Sequence, residues 1–443
     1  MSATILPLGS PQAIVKQSVG LFYATMQRRT ILNRLAGNFP TDKDAQSKAR
    51  MQSSTDYPIV RNKDLTKAAG DRITFDLVNP TMGKVIMGDA YAQGLGQQMT
   101  FAQDGLHISV SRYPVSAGSQ MSQQRTVHEL LGLARANAYG FLARLEDQRT
   151  LVHLAGARGF HNNGEWAVPL ASDASFAGTM INTVRAPSKN RHFMVNGGNI
   201  VPFAAAANAI TMQTTDLMST DVVDSLATWL DSTPFAPGAV KFDGDELAED
   251  SPMRVLLVSA AQYNAFLRSP MFRTWQANSM ARASAANKNP LMLGDAGLWR
   301  GILIVKMPKP IRFFATNAVN HCASETATTE TTTDLVPAAF GTYNGNGGGT
   351  GYAVDRALLL GSQALGQALG KAKMLTENGE EIDGQSVMYS EELMDHKSRL
   401  EVLVGIVNGM SKIQFLQDFG TSNQYTDFGV VSIDTAVKIE GAA

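Results

Sequence analysis

Residues 127–145 read VHELLGLARANAYGFLARL, and this stretch decides the fold of the chain. Apolar side chains recur in it at alternating spacings of four and three residues, which places them on one face of a helix. That face comprises Val127, Leu131, Ala134, Ala138, Phe141 and Leu145. Read outward, the pattern predicts a helix from about Gln120 to Leu154, about 50 Å long at 1.5 Å per residue. A helix of this length is a strut, and we expect its apolar face to pack on the C-terminal strands.

Upstream of the helix, the sequence predicts a two-stranded hairpin without a core of its own. Residues 73–77 and 106–110 alternate between apolar and polar side chains, which is typical of strands. The intervening segment is punctuated by glycines at positions 83, 88, 94 and 96. Because a hairpin that cannot bury itself is marginally stable, we expect a neighbour to hold it.

The first 67 residues are polar and basic, with ten Lys and Arg against four Asp, a local net charge of +6. This composition predicts an arm with no large apolar face toward the core. A short helix from 13 to 35 would present Arg28, Arg29 and Arg34 to solvent or to a partner. A solvated basic tail is the alternative interpretation.

Downstream of the helix, the sequence predicts a compact α/β lobe between about residues 200 and 375. A helical pattern at 211–231 precedes a strand at 253–259, a helix at 260–267 capped by Ser259, and a strand at 301–305. Such alternation is typical of α/β structure. Residues 324–351 are rich in Thr and Gly and predict a surface insertion. The chain then ends in long strands at 399–415 and 428–437.

The composition excludes several classes of protein. With 443 residues, 44% of them hydrophobic, the chain has material for two or three folded units. A formal net charge of -1 makes no case for a protein that wraps nucleic acid or coats a membrane. One cysteine, Cys322, excludes an internal disulfide and suits a reducing cytoplasm. No apolar run approaches the ~20 residues of a membrane span, so no membrane contact is predicted.

Three segments come close to known functional motifs without matching them. The segment GQALGKA at 366–372 has its glycines too close for a phosphate-binding loop and lacks the hydroxyl that binds magnesium. An acidic turn at 243–250 lacks the ligand frame of a calcium site. Cys322 follows His321 without a recognisable third partner. We therefore predict no catalytic residue, no metal site and no cofactor.

Several C-terminal patches carry a family resemblance. They are Val255 to Tyr263 (VLLVSAAQY), Asn289-Pro290 followed by Gly301-Ile302, Arg356 to Ala364 (RALLLGSQA), and Asp395-His396 through Gly409, Lys412 and Phe415 to Asp427-Phe-Gly-Val-Val431. With the element order, they resemble the major capsid proteins of tailed bacteriophages, which have the Hong Kong ninety-seven-type fold. Within these, the chain is similar to the branch typified by the coat protein of the podovirus N-four.

The resemblance implies an α+β fold and names its parts. They are an N-terminal arm (1–67), an E-loop hairpin (68–118), a peripheral domain with the long spine helix (119–200), a central α/β axial domain (201–385) with a surface insertion at about 317–351, and returning strands of the peripheral domain (386–443). No functional site is carried over, since the matching residues are core and turn positions.

The resemblance also implies a function without catalysis: self-assembly through pentamers and hexamers into the icosahedral shell that encloses phage double-stranded DNA. The implied partners are other copies of the chain, a scaffolding protein, a portal, a cement or decoration protein, and packaged DNA held without sequence specificity. Assembly would take place in the bacterial host cytoplasm, with Arg28, Arg29 and Arg34 facing the particle interior or an acidic surface of a neighbour. An encapsulin-like compartment shell and an unrecognised α/β enzyme are the alternatives.

Overall fold

The structure of the chain is a computed structural model. Arg28, Arg29, Arg34 and the acidic turn at 243–250 lie outside the residues that it describes. The described residues are 32, 35–37, 52–63, 70–79, 85–88, 91, 93–96, 99–160, 166–203, 205–206, 209–242, 252–274, 297–315, 318–320, 332–337, 339–341, 351–370, 374–375, 381–382, 387–418 and 423–439.

The helices with stated bounds are α1 (Gln120–Arg125), α2 (Leu130–Ala155), α3 (Phe176–Met180), α4 (Thr220–Ser232) and α5 (Ala260–Arg268), with a short 3-10 helix at Lys189–Arg191. Helix α5 begins at a reciprocal cap, in which Ser259 Oγ accepts from Gln262 N and the Gln262 side chain accepts from Ser259 N. The predicted Ser259 cap is therefore confirmed.

The strands are β1 (Ile59–Asn62), β2 (Arg72–Val78), β3 (Phe101–His107), β4 (Ser109–Ser119), β5 (His192–Asn196), β6 (Asn199–Pro202), β7 (Ala205–Ala206), β8 (Ala209–Ile210), β9 (Arg254–Val258), β10 (Gly297–Trp299), β11 (Ile302–Lys306), β12 (Arg312–Phe313), β13 (Ala318–Asn320), β14 (Thr332–Leu335), β15 (Tyr352–Leu360), β16 (Leu365–Leu369), β17 (Met374–Leu375), β18 (Glu381–Ile382), β19 (Val387–Met394), β20 (Arg399–Lys412), β21 (Gln414–Asp418), β22 (Asn423–Asp427) and β23 (Val430–Lys438).

Two sheets organise the molecule. The first has the order β1-β16-β20-β19, with β4 also pairing with β20, and α2 packs against β20 and β4. The second has the order β10-β11-β9-β15-β23-β5-β6, with β12 pairing with β15. Smaller sheets pair β2 with β3 and β21 with β22, and β13, β14, β8 and β7 form a four-stranded sheet.

Alternation along the strands of the second sheet divides the core between its two faces. Leu256 and Val258 belong to the cluster that packs against α4 and α5, and Val255 and Leu257 belong to the cluster that includes the end of α2. Successive side chains of a strand point to opposite faces, so β9 supplies both clusters. The α2 cluster continues into the first sheet through Val402 and other strand residues, which joins the two sheets by one core.

The long helix is interrupted between α1 and α2, which corrects the prediction of one helix from Gln120 to Leu154. Thr126 ends α1 with an extended backbone. The Gln123 side chain then bridges the break, because its amide nitrogen donates to His128 O at 3.0 Å and its oxygen accepts from Leu130 N at 3.1 Å. Val127 lies in the break with 69% of its surface exposed, so its predicted place on the packing face was wrong.

The predicted coreless arm is also corrected. Strand β1 pairs in parallel with β16 and is an edge strand of the first sheet. Leu32, Leu35, Ile59 and Val60 are buried. The described part of residues 1–67 therefore contributes to the core, although the composition of the segment as a whole is polar and basic.

The order of the strands in the sheets does not follow the order of the chain. Strands β5, β6 and β23 pair within the second sheet, and β16 belongs to the first sheet. The predicted domain bounds stay a prediction. These pairings join segments that are remote in sequence, as when all nine residues of β23 pair with β15, so local patterns did not indicate them. The helix predicted from residue 211 begins at Thr220, after the cap of Ser219.

Candidate assembly surface

The hairpin of β2 and β3 is the most exposed apolar part of the described chain. Its strands pair antiparallel from Arg72 with His107 to Val78 with Phe101. At its far end, Val85 and Tyr91 are 82% and 84% exposed. Other large apolar side chains exposed here are Val78, Met87, Leu95, Met99 and Phe101. Large apolar side chains exposed in one element mark a surface that another molecule covers.

The base of the hairpin, in contrast, packs on the first sheet. Ile73 and Leu106 are buried with Ala368 of β16 in a small cluster of their own. The Phe75 ring lies so close to β16 that a Cβ at Gly366 would be 2.8 Å from it. A Cβ at Gly409 of β20 would overlap the backbone of His107. Glycine is therefore required at both positions for the hairpin to approach the sheet this closely.

A partly buried ion pair also fixes the base. Arg185 Nη1 lies 2.5 Å from Asp104 Oδ2, and Arg185 Nη2 lies 2.7 Å from Asp104 Oδ1. Asp104 Oδ2 also accepts from Gln414 N at 3.0 Å. This two-pronged geometry constrains direction as well as distance. Sequence reasoning missed both residues, because 81 positions separate them and neither lies in a motif.

The predicted packing face of the long helix is distributed between core and surface. Ala134, Ala138 and Leu145 are buried. Phe141 is half-buried and stacks on Tyr113 of β4 at 3.8 Å between ring centroids. Leu131 is half-buried and lines a cleft of about 350 Å³ together with Leu393 and Leu400. The structure therefore brings five of the six predicted residues together against the first sheet and excludes Val127.

The second sheet and the end of α2 meet at a buried charged cluster that the sequence did not single out. Arg356 Nε lies 2.8 Å from Asp434 Oδ1, and Arg356 Nη1 donates to Ala155 O at the end of α2, at 2.9 Å. His192 Nε2 lies 2.7 Å from Asp434 Oδ2. Although burial alone would raise it, Arg356 and His192 hold the pKa of Asp434 well below its usual range.

Two adjacent carboxylates, Glu146 and Asp147, lie on α2. Glu146 accepts from Asn408 of β20 and lies 2.9 Å from Arg149 Nη1, and burial raises its pKa. The adjacent Asp147 has its pKa raised to about 7, by burial and by the neighbouring Glu146. Asp147 therefore titrates near neutral pH.

Among the described residues, no group of three or more His, Cys, Asp or Glu side chains is arranged to hold a metal ion. No helix in the described part of the chain has the length and apolar character needed to cross a membrane.

A family model described as phage capsid protein matches residues 5–439. The chain belongs to the phage capsid protein family. Among solved structures, the capsid protein is similar to the capsid of Ralstonia phage GP4, with 23% sequence identity, a TM-score of 0.65 and 100% of each chain covered. It is also similar to the capsid of cyanophage Pam1, with 14% identity, a TM-score of 0.61 and 99% of each chain covered.

A third similar structure is the capsid of Helicobacter pylori bacteriophage KHP30, with 8% identity, a TM-score of 0.57, and 98% of this chain and 99% of that chain covered. No curated protein matches the capsid protein in sequence. The predicted α+β phage capsid fold and the predicted role as a major capsid protein of the virion shell are confirmed by the family match and the shared fold. The narrower likeness to the N-four branch stays a prediction.

Proposed function

We propose that the capsid protein forms pentamers and hexamers that close into an icosahedral shell around phage double-stranded DNA, in the cytoplasm of the bacterial host. The observation that carries this proposal is the hairpin, whose base is fixed to its own subunit while its apolar far end is uncovered. A closed shell requires contacts between different surface patches of identical subunits. The apolar end of the hairpin is suited to lie on an adjacent copy.

The proposed partners follow from the same role. A scaffolding protein would guide the subunits, a portal would occupy one vertex, and a cement or decoration protein would bind the finished shell. Packaged DNA would be contacted without sequence specificity. A net charge of -1 gives the subunit no strong overall attraction to phosphate, so any contact with DNA would be local. The capsid protein would act as a structural subunit and not as an enzyme.

The experiment that tests the proposal is assembly of the full-length protein, with and without the scaffolding protein of its phage, followed by electron microscopy. We expect closed polyhedral shells of one size only when both are present. A protein that remains monomeric at high concentration under both conditions contradicts the proposal.

The role of the hairpin is tested by replacing Val85, Met87 and Tyr91 together with serine. These side chains make exposed apolar surface, so the subunit should fold normally but build few closed shells. Met271→Ser is the matched control, because Met271 is also 61% exposed but lies far from the hairpin in the sequence. Normal shells from the triple variant would show that the hairpin does not cover a neighbour.

A further inference from the structure

A short connection, residues 179–186, begins with the last two residues of α3 and lies between the end of α2 and the base of the hairpin. Two side chains of the helix hold its first residues. Arg149 Nε donates to Thr179 O at 2.7 Å, and His153 Nε2 lies 3.2 Å from Met180 O. Both side chains are buried, so the start of the connection follows the last turns of the helix.

Two side chains of the connection itself, Asn182 and Arg185, hold the hairpin. Asn182 Oδ1 accepts from His107 N at 2.8 Å, and Asn182 Nδ2 donates to His107 O at 2.9 Å and to Met410 O at 3.1 Å. Arg185, besides its ion pair, donates to Lys412 O at 3.2 Å. The Asn182 amide and the Arg185 guanidinium therefore each contact both β3, the last strand of the hairpin, and the backbone of β20.

The backbone between these two sets of contacts is strained. Ile181 has φ 69° and ψ -58°, a conformation that a β-branched residue rarely adopts. It is the central residue of a three-residue turn, in which Asn182 N donates to Met180 O at 2.8 Å. Strain of this kind persists only where the surroundings hold it, and it is concentrated at positions that serve a function. Here the turn aims the Asn182 side chain at the hairpin.

We propose that Asn182 and Arg185 are positioning residues that fix the direction of the hairpin relative to α2, so that each unassembled subunit already presents its hairpin in the direction that a neighbour requires. This inference rests on the proposed role of the hairpin in contacts between subunits. Pre-organisation of this kind reduces the conformational entropy that the hairpin loses when it contacts a neighbour. The apolar cluster at the base holds the hairpin to the subunit, and the polar contacts determine its angle.

The direction of the hairpin is measured as the distance between spin labels on the full-length, unassembled protein. With Cys322 replaced by serine, the labels are placed at Val85→Cys in the hairpin and Ala143→Cys on α2, which are both exposed positions. We expect a narrow distance distribution in this parent protein. Asn182→Leu and Asp104→Asn, which preserve side-chain size, should each broaden the distribution at least twofold. Arg135→Gln is the control, because it removes an exposed ion pair of α2 that does not contact the hairpin, and it should leave the distribution unchanged.

The same substitutions are then tested in assembly. Asn182→Leu and Asp104→Asn should reduce the yield of closed shells at least tenfold, and Arg185→Lys, which keeps the charge, should retain an intermediate yield. Unchanged distance distributions would overturn the inference. A broadened distribution with a normal yield of shells would overturn it as well, since direction would then not matter. Failure of the underlying function is distinguished by the triple serine variant of the hairpin, whose normal assembly would refute the hairpin contact whatever the distances show.

Discussion

Arg356 is wholly buried, and its guanidinium contacts the end of α2, Asp434 of β23 and His192 of β5. Arg356→Met, which keeps the stem of the side chain but removes the guanidinium, leaves the buried carboxylate of Asp434 without its arginine partner. Breaking a buried ion pair from one side costs about 3 to 5 kcal/mol. We expect a loss of that size in the free energy of unfolding, measured by denaturant titration of the unassembled subunit.

The control for this substitution is Arg300→Met. Arg300 pairs with Asp224 at 3.6 Å, and both side chains are substantially exposed. Exposed pairs contribute about 0 to 1 kcal/mol. Equal losses in the free energy of unfolding from the two variants would mean that Arg356 stabilises the subunit through its packing and not through its ion pair.

The raised pKa of Asp147 predicts that the stability of the subunit depends on pH. Its pKa is about 7 in the folded subunit, against about 3.9 in an unfolded chain. Between about pH 4 and pH 7 the folded subunit keeps a proton that the unfolded chain releases. This residue therefore lowers the stability progressively as the pH rises through that window, and the loss remains above pH 7.

Asp147→Asn should remove this effect. Because Asp147 is partly solvent-exposed, we expect a gain of about 1 to 2 kcal/mol at pH 8 and almost none at pH 4, after allowance for solvent screening. Melting temperatures at both pH values measure it, with the exposed Glu392→Gln as the control. A gain of equal size at both pH values would assign the effect to something other than the proton.

The sequence predicted residue roles well where a role depends on close neighbours. The Ser259 cap requires only a hydroxyl and Gln262 three positions later, and both are visible in the sequence. Asp104 with Arg185, and Arg356 with Asp434, are partners only because strands remote in sequence meet. No spacing rule indicates such pairs.

At the scale of elements, the hairpin depends on glycines that belong to the sheet below it. A side chain at Gly409 would overlap the backbone of His107, so Gly409→Ala should displace the hairpin base. We expect folded subunits with fast hydrogen exchange in β2 and β3 and few closed shells. Mass spectrometry of exchanged peptides measures the first and electron microscopy the second.

Gly140→Ala is the matched control. Gly140 lies within α2, and a Cβ there meets no atom within 4 Å. Alanine in a helix interior is more favourable than glycine by roughly 0.5 to 1 kcal/mol, so this variant should be slightly more stable and assemble normally. If Gly409→Ala behaves in the same way, the close approach of hairpin and sheet is not required.

Elements were predictable where their pattern was local, and the order of strands in the sheets was not. The buried strand at Arg254–Val258 and the helix after it follow from their own apolar residues. At the break before α2, the Gln123 side chain takes the place of backbone hydrogen-bond partners. The spacing of apolar residues gives no sign of such a contact. The place of β23 beside β15 depends on a partner 78 positions away, as the pair of Arg356 and Asp434 records.

At the scale of the whole molecule, the N-terminal segment contributes to folding, and its basic residues are predicted to act in assembly. Leu32, Leu35 and β1 are part of the core, so deleting residues 1–67 should destabilise the subunit itself. The deletion therefore cannot isolate the contribution of the basic residues to assembly. Substitutions that change only their charge are required.

The basic residues of this segment give the last prediction. The local charge of +6 is expected to attract the acidic surface of a neighbour or the contents of the shell, with Arg28, Arg29 and Arg34 as the main contacts. Salt screens exposed charges over about 10 Å at 0.1 M. Replacing the three arginines with glutamine should therefore weaken assembly and reduce its dependence on salt, as measured by light scattering at several salt concentrations. Replacing them with lysine keeps the charge and should preserve the salt dependence. If the glutamine variant assembles with the same salt dependence as the unmodified protein, the three arginines make no such contact.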